Sequence, residues 1–79
     1  MKCNHKMVLD LAKADKWEAA HAMVQVHSDS LSCLIHGYLH RVEGDLGNAS
    51  YWYGRGGSKL TNNPLEEEWE RLYAQAGSE

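Results

Sequence analysis

Phenylalanine is absent from this chain, proline occurs once and cysteine twice. A single proline, Pro64, leaves nearly all of the 79 residues free to form unbroken helix, because proline removes an amide donor and clashes with the preceding turn. Two widely spaced cysteines, Cys3 and Cys33, cannot build the disulfide framework of a small secreted domain. Free thiols and a cytoplasmic location are therefore expected. Basic residues are scarce and scattered (Lys2, Lys6, Lys13, Lys16, Arg41, Arg55, Lys59, Arg71), and the net charge is −3 with neutral histidines. Nucleic acid is not an expected partner, since polyanion binding relies on clustered Lys and Arg. No apolar run approaches the roughly 20 residues that span a bilayer. The first residues, Met1 to Lys6, lack the apolar core of a signal peptide. Neither a membrane nor a secretory route is expected.

What is present is a globular composition, 43% apolar and 24% charged, in a length that makes one domain. Three Trp and four Tyr replace the missing Phe. Their polar handles suit half-buried positions and interfaces. So short a chain buries a modest share of its surface, so self-association or a partner would add useful stability.

Apolar periodicity and capping residues predict an all-α fold of about five short helices. The first spans about Asn4 to Ala14, with Val8, Leu11 and Ala12 on one face. Asp15, followed by Glu18 three residues on, reads as the cap of a second helix from Lys16 to about Val26. Its Trp17, Ala20, His21 and Val24 keep helical spacing. A third helix, about Ser30 to Glu43, carries the clearest stripe: Leu31, Leu34, Ile35, Tyr38, Leu39 and Val42. Gly44-Asp45 stops it and caps a fourth helix, Leu46 to Arg55, with Leu46, Ala49 and Tyr53 sharing a face. Asn63-Pro64 opens a fifth, whose Leu65, Trp69, Leu72, Tyr73 and Ala76 form an apolar stripe. Glu66, Glu67 and Glu68 read as a solvated first turn that complements the helix dipole.

A shift of 29 residues lays Trp17 on Leu46, Ala20 on Ala49 and Val24 on Tyr53, each set large–small–large after a polar turn. Two antiparallel hairpins that bury their faces by stacking, closed by the fifth helix, would produce such an echo. Gly37, Gly44-Asp45-Leu46, Ala49 and Tyr53, with Asn63-Pro64 beyond, resemble a tetratricopeptide-type repeat. Ala49 to Arg55 is similar to the second helix of a Sel1-like repeat. In this comparison His36 and His40 stand where such repeats carry apolar or aromatic residues, and Gly56 where they carry Ala. The runs Tyr38 to Arg41, Glu43-Gly44-Asp45 and Tyr51-Trp52-Tyr53 also resemble those of small bacterial helical proteins without an established activity. The resemblance implies a protein- or peptide-binding module, or a homodimer.

Two groups of residues could carry function. Tyr51, Trp52, Arg55, His36, His40 and Arg41 make an aromatic–basic set around the third and fourth helices, of the types that dominate binding hot spots. Cys33, His36 and His40 fall within about 60° of one another on the third helix, opposite its apolar stripe. Thiolate and imidazole are ligands for zinc or copper, with His5 or Cys3 as a further donor. The alternative is that these side chains pack against a neighbouring helix or sit in solvent. A catalytic histidine would need a nucleophile and an orienting carboxylate within hydrogen-bond reach. Glu43 is near in sequence, but Cys33 and His36, three apart on one helix, make a poor nucleophile–base pair. An enzyme is the least expected outcome, and no cofactor beyond a zinc ion is implied.

Overall fold

The computed structural model describes residues 2–78. Five α-helices follow one another: α1 (His5–Lys13), α2 (Trp17–Val24), α3 (Ser30–Val42), α4 (Leu46–Arg55) and α5 (Leu65–Gly77). Short polar side chains start three of them. Asn4, Asp29 and Asp45 each accept a hydrogen bond from the amide three residues on, satisfying a donor that the helix itself leaves free.

Three helices stop in the same way. At the ends of α1, α3 and α4 the chain turns through a left-handed residue, Asp15 (φ 64°), Gly44 (φ 85°) and Gly57 (φ 83°). The next amide then reaches back five residues, Lys16 to Leu11, Asp45 to His40 and Ser58 to Tyr53, each at 2.9 Å. Asp15 is thus not the cap of α2. It terminates α1, and α2 begins after Lys16 without any side-chain cap.

Helix α3 runs through the middle and packs against all four others. Every residue from Leu31 to Tyr38, and on through His40, is buried. The polar face expected opposite its stripe therefore does not meet solvent. Ser32, Cys33, His36 and His40 are covered by neighbouring helices. Val42, by contrast, is 45% exposed, and Leu46 57% exposed. The pairs matched by the 29-residue shift are both fully buried at Ala20 and Ala49 and at Val24 and Tyr53, whereas half-buried Trp17 corresponds to exposed Leu46.

Close approach of α3 and α4 depends on Gly37. A Cβ there would lie 2.7 Å from Tyr53 Cδ2 and 3.0 Å from the Ala49 carbonyl oxygen. Helix α5 lies against α1 and α3. Trp69 fastens it, donating its indole N–H to the Leu9 carbonyl at 2.8 Å. Glu68 departs from the expected solvated run: Glu66 and Glu67 are exposed, but Glu68 is fully buried. Tyr53 donates to its Oε2 at 2.7 Å, Asn63 to its Oε1 at 2.9 Å, and Arg71 to both oxygens at 2.8 Å. Burial alone would push this carboxyl up, but those donors outweigh it and hold its pKa at about 2. No helix among the described residues is long and apolar enough to cross a membrane.

Candidate metal centre

The buried histidines of α3 face α2. His36 and His40 are four residues apart, one helical turn, so their rings lie one above the other, with centroids 5.0 Å apart. Across the interface, α2 supplies His21, held there because Trp17, Ala20, His21 and Val24 share its core face. His21 Nε2 and His36 Nε2 are 3.1 Å apart, one ring N–H directed at the other ring's lone pair. Ring centroids of His21 lie 4.7 Å from His36 and 5.3 Å from His40. One nitrogen from each of the three rings falls within 4.8 Å of the others.

Two indoles wall the cluster. Trp17 stacks on His21 at 4.7 Å and anchors its own N–H on the Leu39 carbonyl at 2.6 Å. Trp52, from α4, stacks on His36 at 3.9 Å. Burial, then the neighbouring imidazoles His21 and His40 and the Arg55 charge, lowers the pKa of His36 to about 4. Burial, followed by His40, also lowers that of His21. Both rings are consequently neutral near pH 7, the state in which imidazole offers a lone pair to a metal. His36 Nδ1 is buried without a hydrogen-bond partner. His40 Nδ1 is 2.5 Å from Glu43 Oε1. A carboxylate on the outer nitrogen of a ligating histidine orients the ring and raises its basicity.

Cys33 does not join the group. Its thiol donates to the Ser28 carbonyl at 3.6 Å, and burial raises its pKa, which keeps it protonated. His5 sits at the start of α3, with Nε2 2.9 Å from Asp29 Oδ2 and 3.0 Å from Ser32 Oγ. This Ser–His–Asp grouping is not a nucleophile triad. Ser32 is fully buried, away from any substrate, and its hydroxyl hydrogen goes to Asp29 Oδ1 at 2.6 Å rather than to His5. Its effect is to tie α1 to the cap of α3.

The aromatic–basic set divides. His36 and His40 belong to the histidine cluster. Arg41 is committed to the loop before α5, donating to Thr61 Oγ1 and Asn63 Oδ1 at 3.0 Å and to the Asn63 carbonyl. Tyr51, 56% exposed, and Arg55, also exposed, remain on the surface beside half-buried Trp52, with the guanidinium 5.0 Å from the Trp52 ring centroid.

His21 is the residue that helical spacing on one segment could not supply, because it comes from another helix. The signal was a histidine lying in the apolar stripe of the second helix. A cleft of about 400 Å³ elsewhere in the molecule is lined by Lys13, Tyr38, Leu65, Glu66, Trp69 and Glu70 and contains none of these histidines. No family model, curated protein or solved structure matches the chain.

Proposed function

We propose that the chain is a metal-binding protein in which His21, His36 and His40 take one late first-row transition ion, with zinc as the first choice. The observation that carries this reading is the convergence of three imidazole nitrogens from two helices inside 4.8 Å. Tetrahedral ligation at about 2.0–2.1 Å sets pairs of donor atoms about 3.3 Å apart, close to the 3.1 Å between His21 and His36. Three imidazole nitrogens and no thiolate leave a fourth position for water or a ligand, and imidazole suits zinc and copper alike. An ion there would also relieve the pair of ring nitrogens now bonded only to one another, and would clamp α2 to α3.

Elemental analysis of protein purified without a histidine tag tests the reading. About one zinc per chain, or a rise in Tm on adding zinc, is expected by mass action. H21Q should abolish it, while H27Q and C33S leave it intact. An absence of zinc binding, or an H21Q protein that responds like the parent, overturns the assignment.

A second reading has its own support. Tyr51, Trp52 and Arg55 are hot-spot residue types, two of them exposed on α4, which fits a protein-binding or self-associating module of the tetratricopeptide kind. Sedimentation at tens of micromolar, with Y51A/R55A as the comparison, tests it. A monomer unchanged by the substitutions counts against a homodimer.

A further inference from the structure

The cleft of about 400 Å³ lies between the end of α1, the middle of α3 and the first turns of α5, away from the histidine cluster. Its size falls within the range of small-molecule sites. Its apolar and aromatic lining is Tyr38, Trp69 and Leu65. Lys13 also lines it, with its ammonium 4.1 Å from the Trp69 ring centroid, a cation–π contact. Glu66 and Glu70, four residues apart on one face of α5, add two carboxylates to the lining. Among the described residues no ion pair joins Lys13 to either carboxylate, and the Tyr38 hydroxyl takes no hydrogen bond. The Trp69 ring also stacks on Tyr73, whose ring centroid is 4.6 Å away. A ligand in the cleft therefore meets one cationic and two acidic side chains beside apolar and aromatic ones. That pattern complements a molecule carrying both charges around a hydrocarbon body.

We propose that this cleft binds a small zwitterion, an apolar amino acid or a dipeptide. Its carboxylate pairs with Lys13 and its ammonium with Glu66 and Glu70. Its side chain rests on Tyr38, Trp69 and Leu65. The proposal is independent of metal at His21, His36 and His40.

Calorimetry with L-leucine and with leucyl-leucine, alongside the Trp69 indole resonance in a nitrogen–proton correlation spectrum, tests it. The tighter of the two probes identifies whether a free amino acid or a peptide is preferred. Leucinamide and N-acetyl-leucine, each lacking one charge, should bind at least about tenfold more weakly than leucine, the scale of one lost charge-assisted contact. K13Q should weaken leucine by a similar factor and leave leucinamide unchanged, because leucinamide has no carboxylate for Lys13 to meet. E66Q/E70Q should do the converse, weakening leucine while sparing N-acetyl-leucine. No shift of the Trp69 indole at about 10 mM of either zwitterion, or equal affinity for the one-charge analogues, overturns the assignment.

Discussion

Replacing Glu68 by Gln should cost this protein roughly 3 kcal/mol near neutral pH, and the cost should vanish in acid. Glu68 is fully buried yet ionised, because Tyr53, Asn63 and Arg71 aim four donor hydrogens at its two oxygens. Its pKa falls from 4.5 to about 2 on folding. Each unit of difference corresponds to about 1.4 kcal/mol, hence the roughly 3 kcal/mol. A chain of this length is expected to have about 4–12 kcal/mol in total, at roughly 0.05–0.15 kcal/mol per residue. The folded form holds the lower pKa. The stabilisation is therefore complete above about 4.5 and is lost as pH falls toward 2. Glutamine keeps the shape but presents an amide NH2 where a donor already points, and it has no charge to titrate. Urea unfolding followed by circular dichroism at pH 7, 4.5, 3 and 2 measures the gap between the two proteins. Asp29, also held below its usual pKa by its Ser32 hydrogen bonds against the opposing effect of burial, titrates in both and cancels in the difference. A gap that is small at pH 7, or that stays constant down to pH 2, would refute the claim that ionised Glu68 ties α5 to α4.

Gly37→Ala should destabilise by about 1–2 kcal/mol, because overpacking against Tyr53 and the Ala49 carbonyl outweighs the helix propensity gained. Gly54→Ala, with open space at the same test position, should stabilise instead, and urea midpoints that move together would contradict this account of the α3–α4 contact. Asp15→Gly should raise stability by about 0.5–1 kcal/mol, roughly 2–8 °C in Tm, since a left-handed residue favours glycine; a lower Tm in scanning calorimetry would count against the strain assigned to that turn.

Much of the architecture was legible in the order of residue types. The stripe of the third helix and the Gly44-Asp45 stop and cap are local signals, each acting within one turn of chain, and the helices sit close to where those signals place them. The readings that failed share a different character. Asp15 looks like a cap because Asp usually is one, but the pattern Leu11, Ala12, Asp15, Lys16 closes α1 with a left-handed turn. Glu68 looks solvated because two glutamates precede it, yet Tyr53 and Arg71 draw it inward. Of the Cys33, His36 and His40 set, drawn from one helical wheel, the two histidines converge with His21 while the Cys33 thiol turns to the Ser28 carbonyl.

The sequence by itself determined where helices start and stop, which faces are greasy, and that His36 and His40 share a helical turn. These follow from forces acting over a few residues. Tertiary packing settles that α3 is buried from Leu31 to His40, that its histidines meet His21 rather than Cys33, and that Lys13 and Tyr38 share a cleft with α5. Those outcomes depend on which helix lies against which. That choice comes from the burial of all five apolar faces at once, and no single window of the chain contains it.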